Sequence, residues 1–400
     1  MADGRDQYTA RLADSIAAID AADWDRCAGG RNPFVSHAFL NALEESGSVG
    51  DRTGWWPQHL VLEDDSRRIV GCMPLYLKNN SYGEYVFDHS WAHALEQAGG
   101  DYYPKLQAAV PFTPAPGPRL LVGDEPDIAA KAALTDGAVQ VAKRMGVSSL
   151  HVTFCSEDDW QVLGAAGFLQ RLGQQFHWHN RGYGRFDDFL GALASRKRKA
   201  IRKERRSVAE SGIAVEVRHG DEMTPALWDA FYRFYVDTYD RKWGAPYLTR
   251  RFFELIGARM PRQVVMVLAC RDGRPIAGAM NLRGSDALYG RNWGCAEDHP
   301  LLHFECCYYR AIDYAIEHGL ARVEAGTQGP HKIQRGYLPC PTYSAHWIAN
   351  AGFGRAVEDF LRRERPAVRE EMVWLEREHS PYRNPDGDCG ADRAGQGLVR

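Results

Sequence analysis

Carboxylate and histidine side chains that could move protons are concentrated in the second half of the chain. Glu324 lies in the predicted strand ARVEAG (321–326), where a carboxylate either faces solvent or is buried with a raised pKa. His331 follows in a polar loop and could exchange protons near neutral pH. Glu305 opens a predicted apolar helix, at the end where unpaired backbone amides favour negative charge. We predict Glu324 as the general base, with His331 and Glu305 as further catalytic candidates, although helix capping alone would explain Glu305.

Polar and aromatic side chains that could bind a substrate flank these candidates. The loop GTQGPHKIQRGY (326–337) collects donors suited to phosphate or carboxylate groups. The strand ALYGRNWG (287–294) ends in polar residues, and a polar segment after the first predicted hairpin could hold an acceptor between the two halves. A solvated loop and an exposed strand edge are the plainer explanations. The predicted binding residues of these segments and of the helix start are Gln328, Lys332, Arg335, Tyr337, Tyr289, Arg291, Asn292, Trp293, His303, Lys78, Tyr85 and Asp88.

The segment with the strongest bias in charge is residues 195–212. It places eight positive charges within eleven residues, and Glu204 is the one acidic residue among them. A helix is expected there, capped by Ser195 and ended by Gly212. Because clustered cations repel one another unless an anion offsets them, we predict that the helix binds donor phosphates. A solvated surface helix is the alternative. The predicted phosphate-binding residues are Lys197, Lys199, Arg202, Lys203 and Arg206.

Composition limits the classes of protein to which the chain can belong. Lys and Arg (49) nearly balance Asp and Glu (52), so a polyanion site has to be local. The acidic N-terminus lacks an apolar signal segment, and no apolar run approaches about 18 residues, which predicts a cytoplasmic protein without a membrane span. Nine cysteines without a CxxC pair indicate reduced thiols. His89 and His93 lack a third ligand such as a nearby Cys or Glu, so no metal is expected. No tightly bound cofactor is expected either.

Two pairs of similar segments indicate an internal duplication. The hairpin sequence HLVLEDDSRRIVGCMPLYL (59–77) is matched by VVMVLACRDGRPIAGAMNL (264–282). Further along, GFLQRLGQQFHW (167–178) is matched by GYLPCPTYSAHW (336–347). Each half therefore runs helix, hairpin, helix, strand, turn, strand, which is the element order of the GNAT acetyltransferase fold.

We accordingly predict an α/β protein with two tandem GNAT-like domains. The first domain covers residues 8–182 and the second covers residues 183–378, which open with the basic helix. The segment RGYGR interrupts the pattern between them. Residues 379–400 are rich in Gly, Asp and Pro and are predicted to form a disordered tail.

The basic segment and the loop after the penultimate strand resemble signatures of a known family. ALASRKRKAIRKERRSVAESGIAVEV (192–217) is similar to the Fem-type pattern, in which a Lys/Arg-rich helix precedes a Gly and a strand at the start of the second GNAT domain. KIQRGY (332–337) resembles that family's Lys-Arg-Gly-Phe-Gly motif, although Gln334 stands in the first basic place and Leu338 replaces the last Gly. Segments such as NPFVSHAFLNALEESGSVG and HFECCYYRAIDYAIEHG extend the resemblance, over nearly the whole chain, to the bacterial peptidoglycan biosynthesis/recognition proteins, or Fem-like GNAT acyltransferases.

The resemblance implies two GNAT domains, each a mixed central sheet flanked by helices, and transfer of an acyl or aminoacyl group onto an amine. In Fem-type relatives the donor is aminoacyl-tRNA and the acceptor is a peptidoglycan-precursor peptide. Either aminoacyl-tRNA or acyl-CoA could be the co-substrate here, with a small-molecule or peptide amine as acceptor. One alternative is an ordinary acetyl-CoA-dependent N-acetyltransferase, whose Arg/Gln-x-x-Gly-x-Gly/Ala turn is missing at QRGYLP. The other is a non-catalytic module that binds RNA or another anion.

Overall fold

The computed structural model describes residues 8–125, 127–241, 245–326 and 329–383. A π-helical turn, Glu305–Tyr309, joins two of the helices, and a 3-10 helix spans Pro330–Arg335. The strands are β1 Thr9–Ala13, β2 Trp55–Pro57, β3 His59–Glu63, β4 Ile69–Met73, β5 Leu75–Lys78, β6 Lys105–Ala108, β7 Ser149–Cys155, β8 Leu169–His179, β9 Ala214–His219, β10 Val264–Arg271, β11 Arg274–Arg283, β12 Ala287–Cys295, β13 Arg322–Glu324 and β14 Leu338–Ile348. The α-helices are α1 Ala21–Ala28, α2 His37–Glu45, α3 His89–Gln97, α4 Ile128–Met145, α5 Glu157–Ala165, α6 Phe186–Ala192, α7 Ser195–Ala209, α8 Pro225–Arg241, α9 Arg250–Arg259, α10 Leu302–Phe304, α11 Arg310–Glu317 and α12 Ala351–His379.

One mixed sheet runs through both halves of the chain. Its eleven strands follow the order β2-β5-β6-β7-β14-β8-β13-β12-β11-β10-β9, and a separate sheet contains β1, β3 and β4. Phe39 of α2, Phe231 of α8 and Phe253 of α9 share one buried apolar cluster, while Ile312 of α11 packs with Trp178 of β8 in another. The large sheet is therefore the middle layer of an α/β structure, with helices covering its apolar faces.

The two halves exchange their last strands. β8 of the first half pairs with β13 of the second, and β14 of the second half pairs with β7 of the first. β8 and β14 also pair with each other, antiparallel, with Leu169 opposite His346 and His177 opposite Leu338. Because these are the matched Leu and His positions of the duplicated segments, the pairing has approximate twofold symmetry. The sheet is consequently continuous across the predicted domain boundary.

The two duplicated hairpins differ in their placement. β10 and β11 both belong to the large sheet, whereas β3 and β4 belong to the small one, in which β3 lies between β1 and β4. The chain passes from the small sheet to the large one at Pro74, between β4 and β5. Proline has no backbone N–H to donate to a strand ladder, so it suits a position where pairing changes from one sheet to the other. The duplication therefore preserves the order of elements but not the sheet to which each belongs.

The central parallel pair of the second half opens at its end. β12 and β13 pair over Ala287–Tyr289 and Arg322–Glu324, after which β13 ends while β12 continues. The two strands therefore diverge at Gly290 and Ala325, directly after their last paired residues. We call this gap the β12–β13 opening. Beyond this point β12 and β13 no longer hydrogen-bond to each other.

The corresponding opening of the first half is filled by the chain itself. β6 and β7 are also a parallel pair. Beyond their paired residues, the Gly117 amide donates to the Phe154 carbonyl oxygen at 3.0 Å. Arg119, which is fully buried, donates through Nε to the Thr153 carbonyl oxygen at 3.1 Å and through Nη2 to Ala115 at 2.9 Å. A buried guanidinium satisfied by backbone carbonyls leaves no room for a ligand there.

Gly294 lets α8 lie directly against β12. A Cβ atom at Gly294 would overlap the backbone carbonyl group of Phe234, which cannot turn aside as a side chain can. We therefore expect Gly294→Ala to lower the free energy of unfolding by about 2–3 kcal/mol, as measured by urea denaturation. Gly191→Ala in α6 is the matched control, because a Cβ there meets nothing within 4 Å. Equal effects of the two substitutions would contradict this close approach.

The end of α12 corrects the predicted start of the tail. The helix continues to His379, and the following residues fold back onto the second half. Tyr382 is half-buried, donates its hydroxyl to the Gly336 carbonyl oxygen at 2.9 Å and packs its ring against Phe189. Because these contacts fix residues 380–383, they are part of the folded protein. Residues 384–400 lie outside the described residues.

Within the described ranges, no helix combines the length and the apolar character needed to cross a membrane. The longest, α12, has 29 residues, and only Val357, Leu361 and Leu375 are buried along it. Its length therefore reflects packing along the surface of β8 and β14 rather than an apolar span.

Candidate functional site

Glu324 is the last residue of β13, directly at the β12–β13 opening. Its side chain is buried, and Oε1 accepts a hydrogen bond from Arg322 Nε at 2.9 Å. Oε2 lies 3.8 Å from His177 Nε2 and has no hydrogen-bond partner among the described residues. Burial raises the pKa of Glu324 to about 7. The structure thus places a carboxylate that can take up a proton near neutral pH beside the gap in the sheet.

Lys332 and His331 lie beside the end of β13, in the 3-10 helix. Lys332 Nζ donates to the carbonyl oxygens of Ala325 at 2.7 Å and Gly326 at 3.0 Å, the two residues where β13 leaves the sheet. Burial lowers the pKa of Lys332 to about 8. His331 lies 3.0 Å from the Tyr308 hydroxyl, and burial lowers its pKa as well. The predicted proton-transfer and cationic groups of this loop therefore line one edge of the opening.

Not every residue of that loop is available to a ligand. The Arg335 guanidinium lies 3.3 Å from the centre of the Phe304 ring and donates to both carboxylate oxygens of Glu204, at 3.0 and 3.1 Å. These contacts join the loop to α7 and do not support the predicted role of Arg335 in anion binding. Tyr337 is a buried core residue whose hydroxyl donates to the Tyr308 carbonyl oxygen at 3.3 Å, which also removes it from substrate binding. Gln328 lies outside the described residues.

A cavity of about 120 Å³ occupies the opening. Side chains alternate along a strand, so Tyr289 and Glu324 face one side of the sheet while Gly290 and Ala325 face the other. The cavity extends along the second side, beneath the π-helical turn. Of the predicted binding residues it is lined by Arg291, Asn292, Trp293 and His303, together with Asn281 and Tyr308, which the sequence analysis did not single out.

Tyr289 and Arg291 connect the opening to the first half. Tyr289 is buried and packs edge-on against Phe34, with ring centres 5.1 Å apart. Arg291 donates through Nη2 to the Phe112 carbonyl oxygen and to Thr113 Oγ1, the latter at 3.2 Å. These contacts make both residues structural links between the halves. We assign them to positioning β12 and not to direct substrate binding.

Glu305 is held in ion pairs with two arginines. Arg205 of α7 donates to both of its oxygens, at 3.0 and 3.1 Å, and Arg310 lies 3.2 Å from one of them. Cations therefore hold the whole carboxylate in a buried position. These contacts explain Glu305 as the residue that fixes α7 onto the π-helical turn, and they do not support its predicted catalytic role.

The Glu305–Arg205 pair leads to a stability prediction. Removing Arg205 leaves the buried Glu305 with Arg310 alone and takes a partner from Asp313, so we expect Arg205→Met to lower the free energy of unfolding by about 3 kcal/mol. Urea denaturation measures the loss, and adding Glu305→Gln should restore at least half of it. Arg206→Met, on the exposed side of the same helix, is the matched control. A loss for Arg205→Met no larger than for this control would show that the pair does not stabilise the fold.

The basic segment forms the predicted helix with most of its cations outward. α7 begins at Ser195 itself, so the capping position is Ala194 and not the predicted Ser195. Lys197 turns toward the protein and donates to Gln334. The outer surface of α7 consequently carries a row of cations with little competing acid. The exposed predicted phosphate-binding residues are Lys199, Arg202, Lys203 and Arg206, of which Arg202 lies 3.0 Å from Asp187.

The predicted acceptor residues of the first half form a separate buried network. Lys105 Nζ donates to Asp88 at 2.5 Å and to Glu84 at 2.8 Å. Burial alone would raise the pKa of Asp88, but the Lys105 ammonium lowers it below its ordinary range. Lys78 is fully buried with its ammonium 3.8 Å from the centre of the Trp55 ring. These contacts explain Lys78 and Asp88 as core charges, and their predicted acceptor role is not supported.

Tyr85 lies near Arg291 but does not line the cavity in the β12–β13 opening. It lines a cleft of about 280 Å³ over β8 and β14, together with Phe87 and Arg171. Arg171 is held there by both oxygens of Glu364, at 2.7 and 2.9 Å. The structure therefore does not bring Tyr85 together with Glu324.

Three possible metal ligands meet next to Glu324. His177, His179 and Cys340 present atoms within 4.8 Å of one another, and His179 Nε2 lies 3.4 Å from Cys340 Sγ. The sequence analysis missed this group because the residues come from different halves of the chain. Burial and the positive charge of Arg322 lower the pKa of both histidines, and the same charge repels a metal cation. We therefore do not assign a metal to this group.

The fold and the open strand pair define the class of the protein. The large mixed sheet, duplicated elements and central parallel pairs that open at one end form a tandem GNAT fold, as in the solved structures of FemX and of L-PGS from Bacillus licheniformis. A family model described as peptidoglycan biosynthesis/recognition, FemAB-like, matches residues 15–384. The chain belongs to this family, which confirms the family and fold predicted from its sequence.

The similarity to individual structures is one of fold. FemX is 14% identical, with a TM-score of 0.53 over 85% of this chain and 98% of that one. The C-terminal domain of a putative lysylphosphatidylglycerol synthetase from Agrobacterium fabrum is 12% identical, with a TM-score of 0.53 over 86% and 96%. L-PGS from Bacillus licheniformis is 9% identical, with a TM-score of 0.50 over 84% and 98%. No curated protein sequence matches the chain.

Proposed function

We propose that this protein is an acyl- or aminoacyl-transferase that forms an amide on an amine acceptor at the β12–β13 opening. The observation that carries the proposal is the unpartnered Oε2 of Glu324, a buried carboxylate whose pKa is about 7. A base with this pKa can accept a proton at neutral pH and release it again. Family membership and the names of the similar structures, FemX and lysylphosphatidylglycerol synthetase, agree with transfer of an aminoacyl group.

The proposed reaction begins with an ammonium acceptor that loses a proton to Glu324. Its neutral nitrogen then attacks the carbonyl carbon of the donor ester or thioester. The carbon–nitrogen bond forms as the carbon–oxygen or carbon–sulfur bond breaks. The leaving oxygen or sulfur takes up a second proton, which the nitrogen loses as it becomes an amide, and Glu324 releases the first proton to solvent. The side-chain ammonium of Lys332 has three N–H donors, and two of them donate to the carbonyl oxygens of Ala325 and Gly326. The third can stabilise the negative charge that develops on the carbonyl oxygen.

We infer that the donor is an aminoacyl-tRNA held by the exposed cations of α7. Lys199, Lys203 and Arg206 project to solvent from one helix, and clustered cations of this kind attract phosphates. The acceptor is then a peptide or a peptidoglycan-precursor-like amine. Acyl-CoA as the donor, and a protein that binds RNA without catalysis, are the competing possibilities. No tightly bound cofactor is part of the proposed reaction.

Donor specificity tests the proposed function directly. Purified protein is incubated separately with radiolabelled aminoacyl-tRNA pools and with acetyl-CoA, each with a panel of peptide and small-molecule amines. Amide formation from aminoacyl-tRNA supports the proposal. Formation only from acetyl-CoA would instead identify a conventional acetyltransferase, and RNA retention without turnover from either donor would identify a binding protein.

A further inference from the structure

The cavity in the β12–β13 opening contains a buried hydrogen-bond acceptor without a partner. Asn281 is 1% exposed, and its Nδ2 donates to the carbonyl oxygens of Val265 at 3.2 Å and Ala279 at 3.3 Å. Its Oδ1 has no partner among the described residues. Only the NH₂ group can donate to two carbonyls, so the amide cannot be turned around, and an oxygen must face the cavity. Leaving a buried acceptor unpaired is unfavourable, which indicates that a donor occupies this place when a ligand binds.

A second unpartnered amide oxygen lines the same cavity. Asn292 comes from the adjacent strand, and its buried Oδ1 also has no partner among the described residues. Arg291, the charged residue of the lining, directs its guanidinium to Phe112 and Thr113. The lining therefore offers acceptor oxygens to a donor that enters the cavity.

Aromatic rings complete the lining. Trp293 and His303 meet edge to face with ring centres 5.3 Å apart, and His303 and Tyr308 do so at 5.4 Å. The faces of aromatic rings attract cations, most strongly where water is excluded. The cavity volume, about 120 Å³, is below the roughly 150 Å³ that accepts benzene in an apolar cavity. A ligand group that fits is therefore small, positively charged and rich in N–H donors.

We propose that Asn281 and Asn292, with the surrounding rings, form a binding site for a small primary ammonium group. This inference deepens the proposed function and rests on it for its place in the reaction. The ammonium has two possible sources, the α-ammonium of an aminoacyl donor with a small side chain or the amine of the acceptor before it passes through the opening to Glu324, on the other face of the sheet, and loses its proton there. An acetyl group has no N–H donor and leaves both amide oxygens unpaired, so the site selects against acetyl transfer.

Ligand binding tests this site independently of turnover. Alaninamide represents the aminoacyl donor, n-propylamine represents a simple acceptor amine, and N-acetylalaninamide is the matched control that lacks the ammonium. Each is titrated into the full chain near pH 7 and followed by saturation-transfer NMR. We expect alaninamide or n-propylamine to bind while N-acetylalaninamide does not, and the tighter of the two identifies the source. Equal binding of all three, or of none, would overturn the proposal.

Two variants locate the binding. Asn281→Leu removes the acceptor while keeping a side chain of similar size, and we expect it to weaken ammonium binding at least tenfold. Asn292→Leu, at a less buried position, tests the second acceptor if the first variant does not fold. Asn41→Leu on α2 is the control and should bind as the wild type does. Unchanged binding in a folded Asn281→Leu or Asn292→Leu variant would refute the site. If ammonium binding persists while no donor supports transfer, the proposed function fails and this site remains.

Discussion

Glu324→Gln is expected to lower the rate of amide formation about 1000-fold at pH 7, in the range that a positioned general base contributes. Glutamine keeps the size of the side chain but cannot take the proton from the acceptor. The wild-type rate should rise with pH and level off above about 7, because burial raises the pKa of Glu324 to about that value and only its ionised form is a base. The variant should lose this dependence. Single-turnover rates between pH 5.5 and 8.5 provide the measurement.

Asp286→Asn is the matched control for this variant. Asp286 also pairs with Arg322, but it is far more exposed than Glu324. If the loss in Glu324→Gln came from releasing Arg322, the control would show a similar loss. A rate within about threefold of the wild type in Glu324→Gln, or equal losses in both variants, would rule out Glu324 as the base.

The same pKa shift predicts a pH-dependent difference in stability. The folded-state pKa of Glu324 lies above its ordinary value of 4.5, so its protonated form is favoured in the folded protein. Relative to Glu324→Gln, the wild type should therefore be most stable below pH 4.5 and lose up to about 3 kcal/mol as the pH rises through 7. Urea denaturation of both proteins at several pH values measures this difference. A pH-independent difference would indicate that Glu324 is not buried as a titrating group.

Lys199→Glu combined with Lys203→Glu is expected to weaken RNA binding about 100-fold and to abolish transfer from aminoacyl-tRNA at low donor concentration. Both side chains are exposed on α7, so the substitutions should leave the fold intact. RNA binding should weaken because phosphate contacts are lost. Each such contact also contributes about 0.7 to 0.9 to the slope of log affinity against log salt. Filter binding at several salt concentrations should show that slope reduced by about two.

The control for α7 reverses the same amount of charge elsewhere. Lys143→Glu with Arg144→Glu alters two exposed cations in the last turn of α4. A similar loss in this control would mean that net charge matters and the position of the cations does not. Unchanged transfer in the α7 variant would make that helix a solvated surface and favour acyl-CoA as the donor.

Local patterns in the sequence predicted much of the architecture. The duplicated hairpin and Gly-to-Trp segments predicted two related halves, and the basic run predicted α7 with its cations outward. Glu324 stood out because a carboxylate among apolar strand residues has few stable environments. Asn281, an amide within the apolar strand that ends GAMNL, carried the same signal and was overlooked. These features can be recognised in the sequence because they depend on residue type and on short spacings along the chain.

Partners far apart in the chain could be found only in the tertiary structure. Glu305 and Arg335 carry residue types suited to catalysis or anion binding, yet Arg205 and Glu204 of α7 occupy them. The exchange of β8 and β14 brings His177 to Glu324, and Arg119 fills the opening of the first half. Whether a charge is paired, and therefore whether it can act on a substrate, depends on these long-range contacts. The sequence determined which groups were present, and packing decided which of them remained available.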